Sequence, residues 1–272
     1  MRIPFLDRAP RVALLRLQGL IAARPTPFGG TLSGAGLAPV IERAFALRRL
    51  AAVFVVINSP GGSPVQSSLI AQAIRRGADK KKTPVIAVAE DAAASGGYWI
   101  ACAADEIVCD PASILGSIGV ISSGFGFQDA IARLGIERRL RTAGVEKSFL
   151  DPFRPERAED VARQDDLLAK LHEEFRAWVR TRRGARLKAD EEQLFTGRFW
   201  TGREAVDLGL ADGLGDAEGE ARRRFGDDVA IIPVGERRRK PFLWRFIPGV
   251  EDAAGALLHA AEERAAWGRL GL

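Results

Sequence analysis

Residues 84–104 read PVIAVAEDAAASGGYWIACAA. Pro84–Glu90 is apolar and β-branched at Val85, Ile86 and Val88, the composition of a buried strand. Tyr98–Ala104 is apolar again and reads as a buried helix. Between them lies Ala92–Gly97, Ala-Ala-Ala-Ser-Gly-Gly, with its one hydroxyl, Ser95, at the strand-to-helix turn. The first amides of a helix have no partner inside it. A serine there can cap them, or they can stabilise negative charge that develops beside it. Taken alone, Ser-Gly-Gly reads better as a cap.

A second turn of the same kind lies upstream. Ala51–Ile57 (AAVFVVI) is continuously apolar, as in a parallel sheet covered on both faces. Asn58–Ser63 (NSPGGS) follows as a turn. Val65–Arg76 then reads as a helix with Val65, Leu69, Ile70, Ala73 and Ile74 on one side. Gly61 and Gly62 can adopt backbone angles closed to other residues and turn an N–H toward a ligand oxygen. Either turn alone fits an ordinary βα connection. Two of them at the carboxyl ends of strands in one parallel sheet lie where open α/β sheets bind ligands. One could supply a nucleophile and a donor, the other a second donor.

Outward from this pair, Arg11–Ile21 reads as a first strand and Leu37, Val40, Ile41, Ala44 and Phe45 as the apolar face of a helix. Short strands are predicted at Glu106–Cys109 and Ile118–Ile121, a helix near Gln128–Leu134, and an alternating strand at Ile136–Thr142. Pro155–Arg183 is a long charged helix with Leu168, Leu171, Phe175, Trp178 and Val179 on one face. Thr201–Glu204 is a capping box opening a helix to Leu208, and Val229–Val234 a last strand. The alternation predicts an α/β fold with a mostly parallel sheet and right-handed crossovers. The expected division is a domain over 1–235, including a helical segment 155–195, and a basic, aromatic tail over 236–272.

With 272 residues, 47% hydrophobic and 28% charged, the chain has the size and balance of one large α/β domain. The net charge of +5 is spread along the chain with no nucleic-acid motif, so no nucleic-acid partner is expected. Cys102 and Cys109 sit in apolar surroundings and read as buried thiols, which fits a reducing compartment. No Cys/His spacing suits zinc, and no metal or cofactor is expected. Met1–Gln18 has neither a signal-peptide core nor a membrane span. The expectation is a cytoplasmic chain that touches the inner membrane face, if at all, through its basic tail.

A serine nucleophile needs a base. His172 in the charged helix and His259 in the tail read as ordinary surface histidines. Lysine can serve where burial lowers its pKa. Of the seven lysines, Lys147 stands apart, in the loop-like segment Ala143–Phe153 (AGVEKSFLDPF). It reads either as a base or as a surface lysine beside Glu146.

Taken together, Asn58-Ser-Pro-Gly-Gly62, Ala94-Ser-Gly-Gly-Tyr98, Gly116-Ser-Ile-Gly-Val120 and Glu146-Lys-Ser148 resemble the signal peptide peptidase A (SppA) family of serine proteases. Thr196–Gly202 and Gly209–Gly215 extend the resemblance, which runs from about Val12 to Gly226 with motif order kept. The resemblance implies a ClpP/crotonase-like fold, a repeated ββα superhelix with a helical oligomerisation extension. It also implies a Ser-Lys dyad of Ser95 and Lys147, an oxyanion hole from the amides of Gly62 and Gly96, and Ser117 as a hydroxyl that orients the lysine. The implied substrates are signal peptides or other extended peptides. The implied assembly is an octameric ring whose sites take serine and lysine from neighbouring protomers. Membrane-bound members carry an N-terminal anchor that this sequence is expected to lack, which favours released peptides or unfolded segments. A substrate is expected to add as a strand between the segment after Gly62 and the segment Val120–Ser123, with Gly61, Ser63, Val120 and Ile121 as substrate-binding residues. Two readings compete: a crotonase-type acyl-CoA enzyme using Glu90, Asp91 or Asp105, and a non-catalytic peptide-binding scaffold.

Overall fold

The computed structural model describes residues 9–23, 31–144, 146–235, 261 and 264–272. The first strand, β1 (Arg11–Gln18), leads to helix α1 (Gly34–Phe45), whose buried face is the expected one: Leu37, Val40, Ile41, Ala44 and Phe45. Strand β2 (Leu50–Ser59), helix α2 (Pro64–Lys81), strand β3 (Val85–Ala94) and helix α3 (Gly96–Ala101) follow. Next come β4 (Glu106–Cys109), β5 (Ile114–Gly116), α4 (Gln128–Arg133) and α5 (Ala158–Arg183). The chain continues through α6 (Glu191–Leu194), β6 (Phe199–Thr201), α7 (Gly202–Asp207), β7 (Gly213–Leu214), α8 (Ala217–Phe225) and β8 (Ala230–Val234).

The strands form one sheet in the order β6-β5-β3-β2-β1-β8, with β4 beside β3 and β7 beside β4. Every pairing is parallel except β5 with β6. β2 is buried along most of its length, as its unbroken apolar run requires. On one face, Phe54, Val56, Ile86, Val88 and Val108 pack with Ala221 of α8. Near the end of β3, Ala92 and Ala94 pack with Ile114, Trp267 and Leu270. The alanines leave room on the strand for these larger side chains.

The structure revises several expected elements. The strand expected at Ile118–Ile121 lies earlier, at β5, because Leu115 pairs with Trp200 and Gly116 turns the chain away at φ 98°. Residues 136–142 form no strand; all but the half-buried Leu140 are exposed, and charge falls on both faces of the alternation. The buried face of α2 is Ser67, Ile70, Ala71, Ile74 and Ala78, while Val65 and Leu69 are exposed. Leu171 of α5 is exposed although Phe175 and Val179 are buried. The expected boundary at 235 abuts residues outside the described set, which also include His259.

The chain forms two compact units, residues 1–118 with 176–272, and residues 119–175. In the second unit, Phe127 lies between Phe125 and Phe153, and Arg138 stacks on Phe153. Asp160 accepts hydrogen bonds from Arg157 and from the backbone N–H of Leu150. Among the described residues, no helix is long and apolar enough to cross a membrane.

Candidate active site

Ser95 occupies the N-cap position of α3, with φ 51° and ψ −118°. That lies outside the regions an L-residue ordinarily adopts, and such a conformation costs about 1–3 kcal/mol. Main-chain bonds hold it in place: Ser95 N–H donates to the Gly116 carbonyl at 2.8 Å, and its carbonyl accepts from Trp99 N–H at 2.9 Å. Its side chain makes no capping hydrogen bond. The cap that the sequence suggested for this serine is therefore absent. By contrast, Ser63 does cap its helix, accepting from Gln66 N–H.

The turn before α2 lies directly against Ser95. A Cβ placed on Gly61, at φ 108°, would fall 2.8 Å from Ser95 Cβ and 2.9 Å from Gly96 N. Gly62, at φ 141°, leaves no room either, since a Cβ there would meet the Ile21 carbonyl oxygen at 2.1 Å. That carbonyl accepts from Ser63 N–H, and Ile21 N–H donates to Gly61 O, so Ile21 clamps the turn from the other side. A Cβ on Gly96 would come within 3.3 Å of Gly62 N, so the two glycine backbones are neighbours. Neither the Gly62 nor the Gly96 amide makes a hydrogen bond among the described residues.

Below this pair sits Ser67, fully buried on α2, with its hydroxyl donating to Ser63 O at 2.9 Å. A Cβ on Gly96 would collide with Ser67 Oγ at 2.4 Å. Sequence reasoning passed over Ser67. Its one signal is a hydroxyl one helical turn before Ala71 and two before Ile74, on the face that packs inward.

Ser117 also has positive φ, 51°, with its N–H bonded to Arg198 O. It directly follows Gly116, whose carbonyl holds Ser95. The first unit thus brings together Gly61, Gly62, Ser63, Ser95, Gly96 and the Gly116–Ser117 turn. Val120, Ile121 and Lys147 belong to the second unit. There Val120 is half-buried and Ile121 exposed, both outside any strand. Lys147 is exposed in a turn, its N–H donating to Gly144 O, and its neighbour Glu146 pairs with Arg163 of α5.

Other reactive groups are occupied. Glu90 pairs with Arg16, Asp91 accepts from Asn58, and Asp105 binds Arg75 and the Val85 N–H. Burial pushes the Cys102 thiol up to about 12 and Cys109 to about 11, so neither offers a thiolate at neutral pH. Among the described residues no His/Cys/Asp/Glu group could hold a metal ion.

The sequence model of peptidase family S49 matches residues 77–228, a span that contains Ser95, Ser117 and Lys147. The chain belongs to this family, that of the SppA proteases, and its fold is the ClpP/crotonase-like one. It is 44% identical, over 96% of its own length and 37% of the relative's, to a protein of Brucella abortus named Na(+)/H(+) antiporter NhaA. It is 30% identical to the chloroplastic serine protease SPPA of Arabidopsis thaliana, over 75% of this chain and 30% of that one. To a putative protease of Methanocaldococcus jannaschii it is 32% identical, over 61% of this chain and 52% of the relative. The chain thus spans about a third to a half of the length of these curated relatives.

Proposed function

We propose that the chain is a serine endopeptidase acting on extended peptides, such as signal peptides or unfolded segments. Ser95 is the nucleophile, Lys147 the base and the Gly62 and Gly96 amides the oxyanion hole. One observation carries this reading: a strained serine that caps nothing, beside two neighbouring amides without partners. Orphan donors aimed at a developing oxyanion are the largest single source of stabilisation in acyl transfer. A hydroxyl held at the head of a helix is exposed to an incoming carbonyl. Lys147 takes the Ser95 proton as the neutral amine, and Ser117 orients it. Gly61, Ser63, Val120 and Ile121 flank the bound peptide backbone.

Lys147 is supplied by a neighbouring protomer in this proposal, and copies of the chain assemble into a closed ring. The motif resemblance supports this. The test is labelling with a fluorophosphonate probe together with a peptidase assay. Wild type should be labelled at Ser95. Ser95→Ala and Lys147→Ala should each lose at least a thousandfold in activity while remaining folded, as expected for groups acting as a unit. Wild-type activity in Lys147→Ala would overturn the dyad.

The Brucella relative that carries an antiporter name is matched over 37% of its own length. More than half of that relative lies outside the match.

A further inference from the structure

Strand β3 changes neighbours along its length. Its pairing with β4 ends at Ala89↔Cys109, and its pairing with β5 begins at Ala92↔Ile114. The register with β2 shifts at the same place: Ile57 faces Ala89, and Ser59 faces Ala93. One residue of β2, Asn58, therefore stands opposite Glu90, Asp91 and Ala92. Excess residues in one strand bend it and interrupt the ladder, and the backbone groups set free must find other partners.

Buried side chains provide them. Asn58 Oδ1 accepts from Ala92 N–H at 3.2 Å, and Ser113 Oγ donates to the Ala89 carbonyl at 3.1 Å. Asn58 is 8% exposed and Ser113 2%. The Asn58 amide is oriented in turn by Asp91, whose Oδ2 accepts from Asn58 Nδ2 at 2.6 Å. The Asn58 main-chain carbonyl accepts from Gly19 N–H, so the residue also ties β1 to this point. After the bend only Ala92, Ala93 and Ala94 remain before Ser95, and all three are buried.

We infer that Asn58, held by Asp91, is a positioning residue for Ser95: it fixes the bend in β3 that aims the serine turn at the glycine amides. The inference rests on the proposed role of Ser95. An amide is required at position 58 because one end must accept from a backbone N–H and the other must donate to a carboxylate. A carboxylate at 58 would face Asp91 with like charge. With Asp91→Asn added, the new amide would donate to the carboxylate of Asn58→Asp, exchanging donor and acceptor in that one bond, while the carboxylate still accepts from the Ala92 N–H.

The experiment measures the rate of fluorophosphonate labelling at Ser95, with thermal unfolding of each protein as the check on folding. Asn58→Asp should label at least about tenfold more slowly, since small misplacements of reacting groups cost ten- to a hundredfold. Asp91→Ala should also be slower; its side chain is exposed, so this variant is expected to fold even if Asn58→Asp does not. The double variant Asn58→Asp with Asp91→Asn should recover to within a few-fold of wild type. In peptide cleavage the single variants should lower kcat with little change in KM. If both single variants label at the wild-type rate, or the double variant is no faster than Asn58→Asp, the positioning role is wrong. If wild-type Ser95 is not labelled at all, the nucleophile assignment falls instead, and the two failures are distinguishable.

Discussion

At the scale of single residues, the site is made of backbone and small side chains. Ser95 holds a conformation that glycine adopts at little cost, at φ 51° and ψ −118°. Ser95→Gly should therefore be more stable than Ser95→Ala by about 1 kcal/mol, measured by urea unfolding, although both should be inactive if Ser95 is the proposed nucleophile. The opposite order would mean that the turn carries no strain. Gly96 is not at positive φ, so its intolerance is one of space, set by Ser67 Oγ 2.4 Å from a Cβ. Gly96→Ala should lose labelling at Ser95, and adding Ser67→Ala should restore part of it. No recovery would show that the added methyl acts elsewhere. Ser95, Gly61 and Gly62 were legible in the sequence because strand, turn and helix signals meet there. The missing cap and the hydroxyl beneath Gly96 were not, since both depend on contacts between distant segments.

At the scale of elements, α5 ends in a partly buried ion pair. Arg183, 3% exposed, donates to both carboxylate oxygens of Asp212 and to the Gly209 carbonyl, and Asp212 also accepts from Ile107 N–H. Burial alone would raise the Asp212 carboxyl, but Arg183 and the Ile107 amide outweigh it and hold it below the ordinary value. A depressed carboxylate stabilises the fold fully above its unfolded pKa, about 3.9, and loses that contribution as pH falls through the folded value. Asp212→Asn should thus cost roughly 1.5–3 kcal/mol at pH 7, the range for hydrogen bonds to a charged group, since Arg183 is buried but the Asp212 side chain is partly solvated. The gap to wild type should narrow below about pH 4. An equal gap at pH 7 and pH 3 in denaturant unfolding would contradict this. Local patterns made α1 and the Thr201 capping box legible, the latter with both reciprocal bonds formed. The face of α2 was misjudged because apolar spacing favoured Val65 and Leu69, whereas the buried side admits Ser67 beneath the glycine turn. The alternation at 136–142 misled because period two is also available to an exposed charged segment.

At the scale of the whole molecule, the nucleophile and base candidates lie in different compact units. The parallel α/β order from β1 to β4 could be read from the sequence, since those elements announce themselves locally. The partition into units could not, because it follows from contacts between residues far apart in the chain. If the site is shared between protomers, mixing inactive Ser95→Ala and Lys147→Ala subunits should restore activity, as some interfaces then pair an intact serine with an intact lysine. Co-assembled mixtures that stay inactive would place both groups in one protomer. The glycines around Ser95 have a further bearing on how such a protein changes over generations. A Cβ at Gly61, Gly62, Gly96, Gly97 or Gly116 would approach another atom to within 3 Å. Any residue that replaces glycine at these positions adds at least one carbon where there is no room, so the proposed catalysis can be lost by added volume as well as by removal of a reactive group. A lineage could therefore keep both Ser95 and Lys147 and still lose the activity proposed for them. A saturation map of tolerance would show this as a continuous band in which volume, not chemistry, is selected.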